Sequence, residues 1–318
     1  MTERVAIVGA GIAGLGAAMA LAGRDREIVL IDRDAPPPSN LETAFETWER
    51  KGVTQLRHSH VFLGCLVRLI RDRHPRLHGM LRDAGAREFD FEQGLPIGLR
   101  HQYAPAEGDR DLAFLFSRRT TLEHVIRAYV ESLPGVRFVT QAAVRSLAVS
   151  RTGAVPAITG LTIEREGQAP ELLGTSIVVD ASGRNSILTD FLREQGLPIE
   201  EERSPAGILY FTRHYRLRKG QDEPPRDQTP GAGDLGYIKF GVFVADNRHF
   251  SITLAVPEIE TALRTAIVKP EIFDAVCNEI PGCARWIDPV RAEPVTKVFG
   301  MGNLHNVWRH FVREGKPA

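Results

Sequence analysis

The sequence predicts a mixed α/β (α+β) fold in which a parallel-sheet domain is interrupted by an antiparallel-sheet domain. Two observations carry this prediction. Between residues 5 and 32, an apolar strand, a glycine-rich turn, a helix and a second apolar strand follow one another, which is the order of a βαβ unit. From about residue 200 the apolar residues alternate instead, at 208–217 and in the pair 240–244 and 250–256. Such alternation indicates antiparallel strands with one buried face.

The composition is that of an ordinary globular chain. It has 318 residues, of which 43% are hydrophobic and 25% charged, and this length suffices for two domains. Lys plus Arg and Asp plus Glu both number 40, so the net charge provides no attraction to nucleic acid. We expect no nucleic-acid partner and no integral membrane segment. The three cysteines are sparse, which favours a reducing cytoplasm, and we expect all three to be buried.

The glycine-rich turn between Gly9 and Gly14 predicts a Rossmann-like nucleotide site. Gly9 lets the chain turn off the first strand, Gly11 leaves no side chain where the backbone would meet a pyrophosphate, and Gly14 lets the helix lie close to the sheet. The helix N-terminus presents free N–H groups and the positive end of its dipole to phosphates. Asp32 ends the second strand, where a carboxylate can accept hydrogen bonds from ribose hydroxyls.

A second polar stretch runs from Gln55 to His60 and reads Gln-Leu-Arg-His-Ser-His. It is predicted to open a helix that continues to Ile70. We expect Arg57 and the two histidines to lie beside a cofactor. A metal pair is the weaker interpretation of His58 and His60, because no carboxylate cluster accompanies them. No metal site is therefore predicted.

The remaining predicted elements follow the same periodicities. Residues 177–179 indicate a buried strand that leads into the small-residue loop 180–186, which suggests a ligand at the carboxyl end of that strand. Residues 89–102 show no regular pattern. The other elements are a strand at 112–116, a helix from Ser117 that Pro134 stops, strands at 136–140, 143–149 and 158–164, and helices at 259–268 and 271–280.

This layout resembles that of FAD-dependent monooxygenases with the p-hydroxybenzoate hydroxylase fold, and the chain looks like that family from end to end. The run Gly52-Val53-Thr54-Gln55-Leu56-Arg57-His58-Ser59-His60, followed by a basic helix, is similar to a bacterial branch that includes polyketide epoxidases and relatives of halogenases. The resemblance implies FAD as the cofactor. The residues that it implies for FAD binding are Gly9, Ala10, Gly11, Ile12, Ala13, Gly14, Asp32, Arg33, Arg57, Arg119, Ser182 and Gly183. Arg118 is the neighbour with which Arg119 could be confused.

The resemblance also implies a division of labour between domains. A Rossmann-like FAD-binding domain would comprise 1–84, 116–199 and 291–318, and an inserted substrate domain would comprise 85–115 and 200–290. The implied chemistry is hydroxylation or epoxidation of a hydrophobic, secondary-metabolite-type small molecule through a flavin C4a-hydroperoxide. NAD(P)H or a flavin reductase would supply the electrons. No catalytic side chain is assigned, since the cofactor carries the chemistry.

Two features depart from the family pattern. The middle motif of the family usually carries Asp-Gly, whereas Ser182-Gly183 stands here and Asp180 lies two residues earlier, which weakens any contact with a nicotinamide cofactor. A Gly-Asp pair that binds the flavin ribityl chain is expected after residues 298–318 and does not follow, so the resemblance is to a family member cut short. The alternatives are an impaired or non-catalytic nucleotide-binding remnant, a flavin halogenase without the usual Trp-x-Trp-x-Ile-Pro segment, and a prenyl reductase.

Overall fold

The structure is a computed structural model that describes residues 3–23, 25–153, 155–197, 199–225, 227, 229–313 and 316–317. Two compact units can be distinguished. The first comprises residues 1–54, 123–204 and 307–318, and the second comprises residues 55–122 and 205–306. The predicted domain boundaries fall at other points of the chain, and the predicted roles of the domains stay predictions. Residues 314, 315 and 318 of the predicted C-terminal FAD-binding segment lie outside the described residues.

Strands predominate among the described residues. The strands are β1 (Glu3–Val8), β2 (Arg26–Asp32), β3 (Val61–Phe62), β4 (Arg87–Phe89), β5 (Phe114–Phe116), β6 (Val136–Thr140), β7 (Ala142–Ser150), β8 (Ala157–Arg165), β9 (Glu171–Gly174), β10 (Ile177–Asp180), β11 (Ile199–Pro205), β12 (Ile208–Leu217), β13 (Ala232–Asp234), β14 (Lys239–Val244), β15 (His249–Pro257), β16 (Ala292–Pro294), β17 (Phe299–Met301), β18 (His305–Arg313) and β19 (Lys316–Pro317). The helices are α1 (Ile12–Leu21), α2 (Leu41–Thr47), α3 (Gly64–Arg73), α4 (Pro75–Asp83), α5 (Phe91–Gly94), α6 (Ile97–Arg100), α7 (Arg119–Glu131), α8 (Leu188–Glu194), α9 (Thr261–Ala266), α10 (Pro270–Asn278) and α11 (Pro281–Ile287), with a 3₁₀ turn at Asp109–Leu112.

The first unit is built on a four-stranded parallel sheet in the order β10-β1-β2-β6. Its central strands β1 and β2 are apolar and buried, as their unbroken hydrophobic sequences predict. The prediction of a buried strand at 177–179 is wrong in its burial, because β10 pairs only with β1 among the described strands and is partly exposed. The antiparallel sheet β7-β8-β9 contributes Leu147, Leu161 and Ile163 to the same apolar core as Val29 and Ile31 of β2.

The second unit is built on an antiparallel sheet in the order β13-β14-β15-β12-β16, with β17 also paired to β12. Strands β12 and β15 pair along their length, so Thr212 lies opposite Thr253 and His214 lies opposite Ser251. Since successive side chains point to opposite faces of a sheet, these four residues share one face. The other face carries the apolar residues of the two strands, which form a core with α10 and α11. This confirms the strand predicted at 208–217.

Three local predictions are wrong. The helix expected from residue 55 begins only at Gly64, because Val61 and Phe62 pair with β5 as a short strand. The region 89–102 contains the short helices α5 and α6, and the first of them begins with a capping box at Asp90. Cys65 is exposed, whereas Cys277 and Cys283 are buried as expected. None of the helices in the described residues is long and apolar enough to cross a membrane.

Candidate functional site

Gly9 and Gly14 hold the turn after β1 in close contact with its surroundings. The φ angle of Gly9 is +101°, a left-handed conformation that other residues rarely adopt, and a Cβ there would lie 2.8 Å from the Ala181 carbonyl carbon. A Cβ at Gly14 would overlap the carbonyl oxygen of Gly9. Both glycines therefore serve the packing of the turn, the helix and the loop after β10.

Gly11 differs from these two glycines, because none of the described residues requires it to lack a side chain. It is the N-cap of α1, with φ −82° and ψ −175°, angles that any residue adopts. A Cβ at this position would meet no atom of the described residues within 4 Å. No side chain caps the helix there, and its first turn carries no acidic residue. The N-terminus of α1 thus presents backbone N–H groups to open space, as an anion-binding site requires.

Asp32 lies beside this turn and is already well hydrogen-bonded. Its side chain is buried, and one carboxylate oxygen accepts from the Ala10 N–H at 3.0 Å and from the Arg50 guanidinium at 2.5 Å. The other oxygen accepts from the Asp34 N–H at 3.0 Å. A carboxylate can accept about four hydrogen bonds. Asp32 therefore keeps acceptor capacity for about one ribose hydroxyl.

Arg50 joins the glycine turn to three carboxylates, and the sequence analysis missed it. The guanidinium donates to Glu123 at 2.6 Å and to the Ala10 carbonyl at 3.1 Å, in addition to its contact with Asp32, and Asp34 lies 3.5 Å away. Glu123 is completely buried. Glu123 could have been recognised from the sequence, because it is a charged residue directly after Leu122 on the apolar side of a predicted helix. The polar stretch around Arg50 offers no comparable signal.

The loop after β10 is closed by Asp180. Its carboxylate accepts from the Ser182 N–H at 3.1 Å and from the hydroxyls of Ser182 and Ser186 at 2.6 and 2.5 Å. Gly183 follows with φ +89°. Ala181 and Ser182 lie against Gly9, so the structure brings the predicted residue Ser182 to the glycine turn, whereas Gly183 lies near the Gly52 carbonyl. Arg33 is exposed, and its guanidinium lies near Gly52.

Arg57 and Arg119 lie in the second unit. The Arg57 guanidinium lies 6.0 Å from the centre of the Phe299 ring, and the Arg57 carbonyl accepts a hydrogen bond from His214 at 3.0 Å. Arg119 is the first residue of α7. Burial and, to a smaller extent, the positive charge of Arg119 together lower the pKa of His60 to about 4. Contact of either arginine with a cofactor remains a prediction.

Arg118 is held by a buried carboxylate. Asp246 accepts hydrogen bonds from the Arg118 guanidinium at 2.6 and 3.0 Å and from the Arg118 N–H at 2.7 Å. The hydroxyls of Ser117 and Thr121 donate to the same carboxylate at 2.8 and 2.9 Å. Burial acts to raise the pKa of Asp246, but the bonds and charge of Arg118 outweigh it and the net shift is downward. Arg118 therefore has a structural partner in Asp246.

The shared face of β12 and β15 is polar yet buried. His58 contacts Thr212 at 2.9 Å, Thr212 contacts Thr253 at 2.7 Å, and Ser59 contacts both Thr253 and Ser251 at 2.7 Å. Burial lowers the pKa of His58 to about 4 and that of His214 to about 3. Both imidazoles are therefore neutral at pH 7. The described residues contain no group of three or more His, Cys, Asp and Glu that could hold a metal ion.

The first unit is a parallel sheet with an open helix N-terminus, which is the arrangement of a Rossmann-like nucleotide-binding fold, and the second unit is an antiparallel sheet. Residues 4–102 match the family model described as FAD dependent oxidoreductase. A comparison with curated proteins finds no match. The expectation of a flavin-dependent oxidoreductase is thus supported over the N-terminal third of the chain.

Solved structures of flavin enzymes share this fold. PqsL of Pseudomonas aeruginosa, described as "a probable FAD-dependent monooxygenase", has a TM-score of 0.62 at 13% identity, over 92% of this chain and 73% of that chain. The flavin-dependent brominase Bmp2 has a TM-score of 0.65 at 15% identity, over 98% and 70%. The anhydrotetracycline hydroxylase OxyS of Streptomyces rimosus has a TM-score of 0.56 at 17% identity, over 99% and 55%. At these identities the likeness shows the fold, and it confirms the predicted fold class.

Proposed function

We propose that the protein is an FAD-dependent monooxygenase that hydroxylates or epoxidises a hydrophobic small molecule. The observation that carries the proposal is the open N-terminus of α1 at Gly11, where a nucleotide pyrophosphate can approach the backbone without displacing any protein atom. The family match over residues 4–102 and the fold shared with monooxygenases support FAD as the nucleotide.

The first unit provides groups that fit the ADP half of FAD. The N–H groups of Ile12, Ala13 and Gly14 would bind the pyrophosphate, and the remaining acceptor capacity of Asp32 would bind a ribose hydroxyl. Arg50 keeps Asp32 in place and shields its charge. When bound, FAD would supply the reduction of O₂ and the transfer of one oxygen atom. The protein's own residues bind and orient the reactants and exclude water.

The proposal extends to the roles of the two units and to the partners. The first unit would hold FAD together with Arg33, Ser182 and Gly183, and the antiparallel sheet of the second unit would bind the substrate, with Arg57 and Arg119 in contact with the cofactor. The substrate class is a hydrophobic secondary metabolite, and the reductant is NAD(P)H or a separate flavin reductase. The sparse cysteines support a cytoplasmic location.

A titration with two flavins tests the proposal. FAD and FMN share the isoalloxazine ring, but FMN lacks the ADP half, so the α1 site predicts that FAD binds far more tightly than FMN. Binding is followed by quenching of flavin fluorescence and by the shape of the visible spectrum, with ADP as a competitor. Equal affinities for FAD and FMN, or no competition by ADP, would contradict the proposal. Binding of ADP without binding of FAD would support the alternative of a nucleotide-binding remnant.

Halogenation is the second candidate, because the brominase Bmp2 shares the fold. The FAD-loaded protein, a reductant and an electron-rich aromatic probe such as indole are incubated in air, with and without bromide. Mass spectrometry then separates the outcomes, since oxygen transfer adds one oxygen atom and halogenation adds bromine only when bromide is present. Reduction of a prenyl double bond would instead add two hydrogen atoms to a prenylated probe and would require no O₂.

A further inference from the structure

Two buried side chains hold the backbone of the glycine turn at Ala10. The Ala10 N–H donates to the Asp32 carboxylate at 3.0 Å, and the Ala10 carbonyl accepts from the Arg50 guanidinium at 3.1 Å. Asp32 and Arg50 also pair with each other at 2.5 Å. Because side chains bind both backbone groups of Ala10, the peptide groups before and after this residue each have a set direction.

The first of these peptide groups joins Gly9 to Ala10. In a trans peptide the carbonyl and the N–H lie in one plane and point in opposite directions. Since the Ala10 N–H points to Asp32, the Gly9 carbonyl points away from Asp32. Its oxygen lies against Gly14, where it leaves no room for a Cβ. The contact with Asp32 and the close approach of the helix to the turn therefore require the same orientation of this peptide.

The second peptide group joins Ala10 to Gly11 and carries a donor of the proposed phosphate site. Arg50 holds its carbonyl, so the Gly11 N–H points away from Arg50. Gly11 is partly exposed, and no described residue accepts a hydrogen bond from its N–H. Gly11 directly precedes Ile12, the first residue of α1. The Gly11 N–H therefore adds a donor to the free N–H groups at this helix N-terminus.

Arg50 itself is not placed to bind a nucleotide. Its side chain is 4% exposed, and its guanidinium contacts the carboxylates of Asp32, Asp34 and Glu123. The guanidinium carbon also lies 5.3 Å from the centre of the Trp48 ring. The positive charge of Arg50 is thus compensated within the protein. Any effect of Arg50 on a bound phosphate therefore passes through the backbone that it holds.

We infer that Arg50 is a positioning residue of the nucleotide site, which directs the Gly11 N–H towards the phosphates by holding the Ala10 carbonyl. The inference rests on the proposed function, because it concerns the same site. It depends on the shape of the guanidinium as well as on its charge. The planar fork donates to the Ala10 carbonyl and to Asp32 from two different nitrogens, whereas a lysine ammonium is a single point of charge.

The test uses Arg50→Lys, which keeps the charge and removes the fork. The full chain is labelled with ¹⁵N-glycine and titrated with ADP and with adenosine, which lacks the phosphates. The Gly11 signal is the one that is missing from the spectrum of Gly11→Ala. In the wild type we expect ADP to move the proton signal of the Gly11 N–H downfield, because the N–H then donates to an anion. Adenosine should bind more weakly and should not produce this shift.

Arg50→Lys should weaken ADP binding roughly tenfold or more, as the loss of one hydrogen bond to a charged group implies. Adenosine binding should change less, because the N–H groups of Ala10 and Asp34 still hold Asp32. The ligand-free variant should also show a displaced ¹⁵N signal of Gly11, since this signal is sensitive to the hydrogen bond that the preceding carbonyl accepts. A purely structural role of Arg50 would lower stability without these two effects.

Arg127→Lys is the matched control. Arg127 is a buried arginine of the same unit that lies 4.2 Å from the centre of the Phe138 ring and pairs with Glu131 at 2.9 Å. Its replacement should leave the Gly11 signal and the affinity for ADP unchanged. An unchanged affinity of Arg50→Lys for ADP, or an equal loss for ADP and adenosine, would overturn the inference. If Arg50→Lys fails to fold, the wild-type titration decides, and a Gly11 signal that does not respond to ADP refutes the inference.

The flavin titration and this experiment can fail separately. If the chain binds ADP in the manner that depends on Arg50 but does not bind FAD, the proposed function fails and the role of Arg50 stands. If the chain binds FAD and Arg50→Lys binds ADP as tightly as the wild type does, the role of Arg50 fails and the proposed function stands. A chain that binds neither nucleotide would overturn both.

Discussion

Three glycines of the first unit allow cofactor binding to be separated from folding. Gly11→Ala places a methyl group where the described part of the chain has no atom within 4 Å, and the backbone angles there suit alanine. The cost to the fold is that of a weaker N-cap, about 1 kcal/mol or less. The methyl group would hold the pyrophosphate away from the N–H groups of α1, and each hydrogen bond to a charged group contributes ~1.5–3 kcal/mol. We therefore expect the dissociation constant for FAD to rise roughly 10- to 100-fold.

Gly14→Ala is the opposite case. Its methyl group would overlap the Gly9 carbonyl oxygen, so the helix must move away from the turn. Overpacking of this kind costs about 1–3 kcal/mol of stability. The higher helix propensity of alanine compared with glycine offsets up to ~1 kcal/mol of this cost. Gly16→Ala is the control, because Gly16 lies in the same helix with open space around it. This variant should be as stable as the wild type or slightly more so, and it should bind FAD normally.

Urea denaturation of the FAD-free proteins and FAD titration of the native proteins measure the two effects independently. The expected pattern is a folded Gly11→Ala variant with weak FAD binding and a destabilised Gly14→Ala variant. If Gly11→Ala binds FAD as tightly as the wild type does, the pyrophosphate does not lie at the N-terminus of α1. If Gly14→Ala is as stable as Gly16→Ala, the close approach between helix and turn has no energetic importance.

Three further predictions concern buried charges. Arg50→Met leaves Asp32, Asp34 and Glu123 without their shared cation, so we expect the free energy of unfolding, measured by urea denaturation, to fall by about 3–5 kcal/mol. The fall should be smaller when Glu123→Gln is added. An unchanged denaturation midpoint would contradict this. Arg118→Met and Asp246→Leu should each lower the free energy of unfolding by a similar ~3–5 kcal/mol. The double variant should lose much less than the sum of the two, and additive losses would argue against a direct interaction. The pKa of His58 is lowered from 6.5 to about 4, so its contribution to stability is fully present above pH 6.5 and is lost as the pH falls towards 4. His58→Gln should therefore reduce the loss of stability between pH 6.5 and 4 by ~2–3 kcal/mol, and an identical pH dependence would refute the shift.

The sequence predicted secondary structure correctly where residues close together in the chain determine it. Gly14 meets Gly9 a few residues away, and the strand, turn and helix around the three glycines are found as predicted. The alternation at 208–217 likewise identified β12. The helix expected from residue 55 was misplaced, because Val61 and Phe62 pair with residues 115 and 116, and no pattern within the segment reveals that partner.

The charged contacts of both units could not be predicted from the sequence either, because the partners in each contact lie far apart in the chain. Arg50 and Glu123 are 73 positions apart in the sequence, and Arg118 and Asp246 are 128 apart. A single arginine in a polar stretch has the same local appearance whether it is solvated or buried against carboxylates. Glu123 gives a partial signal, because this charged residue directly follows Leu122 of the apolar helix face.

Asp246 illustrates what such long-range pairing achieves at the start of α7. The sequence predicts a helix from Ser117 onwards. In the structure the Ser117 hydroxyl, the Arg118 N–H and the Thr121 hydroxyl all donate to the carboxylate of Asp246. A carboxylate at a helix N-terminus also interacts favourably with the helix dipole. Because Asp246 belongs to the turn between β14 and β15, the position of Arg119 depends on the antiparallel sheet of the second unit. Loss of Asp246 should therefore alter any contact that Arg119 makes.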